Sequence, residues 1–354
     1  MSYEPCRMKE ALGVKQFGRI VRIPSPTGFD VGDINSYLIL PEEGSRELVL
    51  IDTGVGREEA WQALGAGLAR FGYRMEDISL ILLTHAHTDH FGQAPRIRRA
   101  SGCEIWGHEA IQASVADYLP PPPRVEMEKQ FFRRLGFTDA MYDKIFEYRD
   151  YVGDLFEPCE LDRALVDGDV IAIEGFELHT IHTPGHCAEE VVYWQPESRQ
   201  MFSGDHLLPD ITPVCLLDIP DHPAGERVHA LTQYYQSADK LLPYQVDYVY
   251  PSHGDVFTDH RELIAGYKLA TERRLLKICR ILREQGPLTP LEVGQHLFPK
   301  AWRDQLYAVC SEVMGHLDML IDEGFVSAAE DAGLLRYTLL SIPESGSIFA
   351  AVER

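Results

Sequence analysis

The sequence predicts an α/β fold followed by a small helical tail, on three observations. Short apolar runs of strand length alternate with a helix-spaced segment in the first part of the chain. Strand patterns return at Asp169, and from Arg261 onward the periodicity is helical. The length of 354 residues suits two domains, or one large domain with an appendage, and suffices to bury a core without staples.

The elements follow in order. Glu47–Ile51 reads as a short buried strand ending in Asp52-Thr53-Gly54. Arg57–Phe71 has helical spacing, with Trp61, Leu64, Leu68 and Phe71 on one side, and Ile78–Leu83 is a near-continuous apolar strand running into Thr84-His85. Pro120–Pro123 is a stiff break. Arg124–Val152 after it reads as an amphipathic helical run carrying Phe131, Phe132, Tyr142, Phe146 and Tyr148. Strands are predicted at Asp169–Ile173, Phe176–Ile181, Val191–Trp194, Gln200–Ser203 and Val246–Tyr250. Glu262–Glu284, Thr289–Leu297 and Leu306–Glu323 read as helices, the second opened by a Thr cap with Pro at the first helical position. Phe325–Ser327 and Leu334–Leu339 form a predicted hairpin around Ala332-Gly333. Three helices and a β-wing make a winged-helix pattern, so the expected division is 1–265 and 266–354, with an insert at about 120–155.

Composition excludes several classes. The hydrophobic fraction of 45% is that of a globular chain, and no apolar run approaches the ~18 residues of a membrane helix. The net charge of −22 repels polyphosphate, so no nucleic-acid partner and no membrane is expected. The tail from Pro290 to Leu340 sets three basic residues against eight acidic ones, the wrong sign for DNA. The seven cysteines, Cys6 among them, contain no CxxC and suit neither a disulfide framework nor a thiolate zinc site. Met1–Gly13 lacks an apolar core of a signal peptide, so a cytoplasmic location is expected.

His85-Ala86-His87-Thr88-Asp89-His90 is the chemical centre of the sequence. Three imidazoles and a carboxylate within six residues suit a divalent metal, and the loop at a strand's C-terminal end is where open α/β sheets place their sites. The pattern resembles the metallo-β-lactamase-fold superfamily of hydrolases, in particular its glyoxalase II-like branch. Thr183-Pro184-Gly185-His186, Phe202-Ser203-Gly204-Asp205-His206, Tyr250-Pro251-Ser252-His253-Gly254 and the early Asp52-Thr53-Gly54 match that family's further motifs in its order. The resemblance implies an αββα sandwich. It implies one metal on His85, His87 and His186, a second on Asp89, His90 and His253, and Asp205 bridging them. Two divalent ions, zinc favoured and iron or manganese compatible, would sit roughly 3.5–4 Å apart and share a hydroxide. Asp89 is also a candidate proton shuttle, and Asp52 a candidate orienting residue.

The expected reaction is hydrolysis of a thioester, ester or lactone of a small molecule with an apolar acyl part. The alternatives are a metal-dependent endoribonuclease and a mononuclear iron persulfide dioxygenase. The aromatic insert is expected to wall the substrate pocket as a helical lid, and the tail to pack on the catalytic domain or on a second copy. Of the nine other histidines, His179, His182 and His206 are placed beside the site, and His222 and His260 at the surface; His108, His229, His296 and His316 carry no motif. Cys187 is expected to be a packed neighbour of His186.

Overall fold

Both faces of the central strands are covered, which is why their sequences read as continuous apolar runs rather than as alternation. The computed structural model describes residues 13–42, 44–45, 47–116, 121–173, 175–217, 219, 227–344 and 349; Cys6, Pro120 and His222 lie outside them. The first sheet contains β1 (Lys15–Phe17), β2 (Ile20–Ser25), β3 (Ile34–Ile39), β4 (Leu48–Ile51), β5 (Ile78–Leu82), β6 (Glu104–His108) and β7 (Arg163–Leu165), side by side in that order. Its first four strands are antiparallel and the rest parallel. Helices α1 (Glu58–Ala69), α2 (Thr88–Phe91), α3 (Ala94–Ser101), α4 (Ile111–Ala116), α5 (Pro122–Arg134) and α6 (Asp139–Gly153) form the crossovers that parallel pairing requires.

The second sheet holds β8 (Val170–Ile173), β9 (Phe176–His182), β10 (Val191–Gln195), β11 (Gln200–Gly204) and β12 (Tyr248–Pro251). α7 (Ala230–Leu241) joins β11 to β12, which pair in parallel. Ile20, Tyr37, Ile51 and Leu82 of the first sheet meet Leu178, Val191, Tyr193, Phe202 and Tyr250 of the second in one buried layer. Val21, Ile23, Leu48 and Leu50 point the other way, against Leu64, Leu68 and Ile97 of α1 and α3. Ile181, Val192 and Met201 likewise face Leu231, Tyr234 and Tyr235 of α7. The layers therefore run helices, sheet, sheet, helices, the αββα sandwich expected.

β1, β2 and β3 precede the first predicted strand. Pro24 and Asn35, both poor strand formers, face each other in the β2–β3 register and mask the pattern. The tail comprises α8 (His260–Gln285), α9 (Pro290–Leu297), α10 (Leu306–Asp322) and the antiparallel hairpin β13 (Val326–Asp331) with β14 (Leu334–Leu339). Thr289 caps α9 reciprocally: its hydroxyl accepts from the Glu292 N–H at 3.3 Å, and the Glu292 carboxylate accepts from the Thr289 N–H at 2.8 Å. α8 runs unbroken through position 265, and Leu275, Ile278, Val313 and Leu317 join the same apolar cluster as Ile181 and Met201.

The insert departs from its expected form. The single predicted run is two helices, broken where Gly136 takes a φ of 95°. A β-carbon at Gly136 would also stand 2.8 Å from the Thr289 hydroxyl, so the turn and its contact with α9 both select glycine. Thr138 then caps α6. The expectation of an aromatic lid is corrected for four of its residues. Phe132 and Tyr142 are fully buried, and Phe131 and Phe146 pack beside them in the cluster shared with α10. Burial there removes more apolar area from water than a solvent-facing lid would; Tyr148 and Tyr151 remain exposed, and Tyr148 is close enough to the site that partial burial and the Asp89 carboxylate raise its phenol.

Candidate metal centre

Strand directions bring the motifs together. β9 and β11 are both antiparallel to β10, so they run the same way as β12. His186, Asp205 and His253 follow the C-terminal ends of these three strands, and His85 follows β5 in the other sheet. The chain turns sharply beneath the centre at Gly204, φ 54°, where a β-carbon would press on the Thr84 side chain at 3.0 Å and on Glu190 at 3.1 Å.

All seven predicted ligand residues meet in two adjoining clusters, His85, His87, His186 and Asp205 in one, Asp89, His90 and His253 in the other. In the first, His87 Nδ1 lies 2.9 Å from His85 Nε2 and 3.0 Å from His186 Nε2, and His186 Nε2 lies 3.5 Å from Asp205 Oδ2. In the second, His253 Nε2 is 3.4 Å from Asp89 Oδ2, and His90 Nε2 is 3.9 Å from Asp89 Oδ1. Asp205 Oδ1 stands 3.6 Å from both His90 Nε2 and His253 Nε2. The Asp205 carboxylate thus turns one oxygen to each cluster.

These separations suit a shared cation. Tetrahedral ligands on bonds of 2.0–2.1 Å lie about 3.3 Å apart. The donor set of imidazole and carboxylate matches a borderline divalent ion. His90 Nε2, His253 Nε2 and Asp205 Oδ1 are buried and have no hydrogen-bond partner among the described residues. Burying such atoms without a partner is costly, and a metal between them removes the cost.

The opposite ring nitrogens are occupied. His90 Nδ1 lies 2.8 Å from Asp52 Oδ2, His186 Nδ1 2.7 Å from the Val214 carbonyl, His253 Nδ1 2.9 Å from the Asp33 carbonyl, and His85 Nδ1 3.1 Å from the Thr84 hydroxyl. An acceptor at the outer nitrogen places the proton there and leaves the inner nitrogen as a lone pair. Asp52 adopts a φ of 54° to do this, and also accepts from the Thr84 N–H at 2.9 Å and the Thr84 hydroxyl at 2.8 Å. A left-handed aspartate at a buried turn is strain retained for a contact.

The electrostatics divide the two clusters. Burial and the neighbouring His186 push His87 down to about 3; burial likewise lowers His186 and, with His90 and His87 beside it, His85. These rings are neutral, the form that binds metal. Burial would lower His90 too, but the carboxylates of Asp52, Asp205 and Asp89 outweigh it and hold it well above the usual histidine range. Asp205 is the reverse: burial would raise it, and His253 and His90 pull it well below the usual carboxylate range. A second cluster that keeps protons in the absence of a cation is one with excess negative charge to neutralise.

Glu190 is a residue the sequence motifs miss. It is fully buried, and its Oε1 accepts from the Asp205 N–H at 2.8 Å. Its only signal is an acidic residue opening an otherwise apolar strand, Glu190-Val191-Val192-Tyr193. Among the other histidines, His182 stacks on His108 at 4.1 Å, His179 pairs with Glu177, and His206 is buried under the centre. His229 pairs with Asp322, and His316 Nδ1 donates to the Glu312 carbonyl. His260, expected at the surface, is fully buried and lies 3.1 Å from the Leu241 carbonyl, anchoring the start of α8. Cys187 belongs to neither cluster.

Residues 29–253 match the family described as the metallo-beta-lactamase superfamily. The chain is 28% identical over 317 residues to the "Probable metallo-hydrolase YqjP" of Bacillus subtilis (strain 168), covering 87% of this chain and 94% of that protein. It is 26% identical to an "Atrochrysone carboxyl ACP thioesterase" of Aspergillus fumigatus, covering 79% and 73%. The crystal structure of a metallo-beta-lactamase family protein from Thermus thermophilus superposes with a TM-score of 0.77 at 25% identity, over 91% of this chain and 99% of that one. With the sandwich, the strand-end histidines and a family match across most of the catalytic layers, the chain belongs to the metallo-beta-lactamase superfamily.

Proposed function

We propose that this chain is a binuclear metal-dependent hydrolase that cleaves a thioester, carboxylic ester or lactone. The observation that carries the reading is Asp205, whose two oxygens face different clusters while the buried nitrogens opposite Oδ1 have no hydrogen-bond partner among the described residues. His85, His87 and His186 would hold one cation and Asp89, His90 and His253 the other, with Asp205 shared. Zinc suits these donors best, and iron and manganese are compatible. When bound, two such cations supply Lewis acidity toward a carbonyl oxygen and a water acidic enough to yield hydroxide near neutral pH.

The chain's own residues do the rest. Asp52 and the carbonyls of Val214 and Asp33 hold the rings in their binding orientation. Asp89 is buried, which would raise its carboxyl, yet His90 and His253 keep it below its ordinary range. An ionised carboxylate at that position can take a proton from the attacking water and return it to the leaving atom. A groove of about 520 Å³ opens beside His253, lined by Val31, Leu208, Ile211 and Phe257 among others. These apolar residues suit an acyl chain, while Arg22, Asp33, Asn35, Asp210 and Asp255 make the rest of the wall polar. The thioester arm of the proposal also draws on the similarity to a protein named as a thioesterase. The division near residue 265 and the winged-helix-like character of the tail belong to the same proposal, supported by its three helices and hairpin. No helix among the described residues is long and apolar enough to cross a membrane.

The test is metal quantification on purified protein, followed by a panel of thioesters, esters, lactones, phosphodiesters and β-lactams on one preparation. Two equivalents per chain and turnover of the carboxylic substrates are expected. A stoichiometry that stays at one after supplementation with zinc rules out the binuclear centre, and turnover confined to phosphodiesters rules out the assigned bond.

A further inference from the structure

We infer that the tail helix α10 is part of the metal-binding machinery: Ser311 and Tyr307 hold the segment that orients His186. The inference rests on the metal-centre reading above.

The chain of contacts is short. His186 presents Nε2 to the first cluster because its Nδ1 is held, 2.7 Å away, by the Val214 carbonyl. Val214 lies in an irregular stretch after Asp205, with no ladder of its own to fix it. Two kinds of contact fix it instead. On one side the Leu216 N–H donates to the His186 carbonyl at 3.0 Å, tying the stretch to the ligand's own backbone. On the other side, the next residue is gripped at both main-chain groups by α10. The Leu217 N–H donates to the Ser311 hydroxyl at 3.0 Å, and the Tyr307 hydroxyl donates to the Leu217 carbonyl at 3.1 Å. Ser311 and Tyr307 are spaced i, i+4, so one face of α10 carries both.

Packing reinforces the grip. Ser311 is buried, and Cys215 and Leu217 are buried in the apolar cluster that contains Val313, Met314 and Leu317 of α10. A hydroxyl in the buried face of a helix needs a partner, and here the partner is the loop. The second cluster is held differently. His90 leans on Asp52, which follows β4, and His253 on the carbonyl of Asp33, which precedes β3. Both supports come from the first sheet. The two clusters therefore differ in whether the tail stands behind a ligand, and loosening α10 should release one ion selectively.

Full-length parent, Ser311→Ala and Tyr307→Phe are loaded with zinc and titrated with a chromophoric chelator. His186→Ala and His253→Ala identify which release step belongs to which cluster. Ser311→Ala is expected to weaken the step that His186→Ala abolishes by about 10-fold, leaving the step abolished by His253→Ala at its parental value. Tyr307→Phe, which removes one hydroxyl, should weaken the same step by a smaller factor. Should Ser311→Ala give no soluble protein, Tyr307→Phe decides the matter alone. Parental affinity for both ions in the variants overturns the inference, as does equal weakening of both, which would report general loosening. A parent that binds no zinc overturns the metal-centre reading as well; a parent that binds two with indifferent variants overturns this inference only.

Discussion

Asp52→Asn is the most informative single change at the centre. The substitution keeps the side-chain shape, and asparagine tolerates the left-handed φ of 54° as readily as aspartate does. The amide oxygen can still accept from the Thr84 N–H, now at 2.9 Å. What changes is the group 2.8 Å from both His90 Nδ1 and the Thr84 hydroxyl. A carboxylate oxygen there accepts a proton and leaves Nε2 free to bind. An amide NH₂ there donates, so the ring carries its proton on Nε2, which then faces Asp205 and Asp89 as a donor and no longer as a ligand.

Losing an orienting contact of this kind costs 10- to 100-fold in metal affinity. At about 1.4 kcal/mol per tenfold, that is about 1.4–2.8 kcal/mol, drawn mainly from the ion on Asp89, His90 and His253; the Thr84 hydroxyl, which donates to the same Asp52 oxygen and holds His85 Nδ1, passes a smaller effect to the other ion. The assay is elemental analysis after dialysis against graded chelator, with the variant next to the parent. One ion weakened clearly more than the other is the expected pattern. Two ions at parental affinity would falsify the claim that Asp52 sets the tautomer of His90.

Three further outcomes are expected. Glu190→Gln should preserve the acceptor for the Asp205 N–H and keep metal content, whereas Glu190→Ala should weaken both ions, since both share Asp205; equal behaviour of the two variants in the same chelator titration would remove Glu190 from the centre. The metal-free protein should lose stability as pH falls from 6.5 toward 3. Burial holds His206 at about 3 in the fold, as it does His87, so below 6.5 the unfolded chain takes up protons that the folded one refuses, at up to about 1.4 kcal/mol per pH unit for each ring. The raised His90 and His253 add no slope there; the lowered His85 and His186 act in the same sense as His206, and Glu190, raised by burial, offsets part of the loss, so a urea midpoint that rises from pH 6.5 to 5 contradicts the assignment. The groove beside His253 also carries Asp33, Asp210 and Asp255 against Arg22, on a chain of net charge −22. A thioester on a neutral short thiol should therefore give a higher kcat/KM than the same acyl group on a phosphorylated carrier, with the gap narrowing in salt; a faster phosphorylated substrate at low ionic strength refutes this.

What the sequence disclosed and what it hid follow one physical distinction. Side-chain chemistry at short spacing is legible: His85 to His90 name their own use, and Thr289-Pro290 announces a helix start, which the structure completes with reciprocal bonds to Glu292. Long apolar runs such as Ile78–Leu82 are legible because both faces of the strand are buried. Main-chain contributions are not. Nothing in the identity of Val214 or Asp33 marks a carbonyl that aims a histidine, because any residue would offer the same oxygen. Amphipathic spacing was equally silent about what Phe132 and Tyr142 face: the same periodicity serves a lid or a core, and only the neighbouring α10 decides it. The break between α5 and α6 had a readable cause, Gly136 followed by the capping Thr138, inside a run whose overall hydrophobic period hid it.

The spacing between the two clusters is set by the sandwich itself. His253 comes from the second sheet, yet the groups that hold it belong to β3 of the first and the residue before it. The Asn35 N–H donates to the Ser252 carbonyl at 2.7 Å, and the Asn35 amide donates to the carbonyls of Pro251 at 3.0 Å and Gly254 at 2.8 Å. The Tyr37 hydroxyl adds a bond to Pro251 at 2.6 Å. Asn35 and Tyr37 alternate with Ser36 along β3, so the two that reach across share the face turned toward the other sheet. A polar residue on the inner face of a strand weakens the apolar layer, and β3 carries one near its start, where the layer opens onto the metal site. There the lost apolar burial is exchanged for two side-chain hydrogen bonds, added to the main-chain one, that stop the sheets from sliding. Sliding by one strand residue, about 3.3 Å, would carry His253 out of reach of Asp89 Oδ2, now 3.4 Å away, and Asp205 Oδ1 out of reach of His90 Nε2, now 3.6 Å away. A shared aspartate demands that both sheets hold their register to a fraction of that distance. Asn35 is the residue whose position in the fold answers the demand, which accounts for a poor strand former inside an otherwise buried strand.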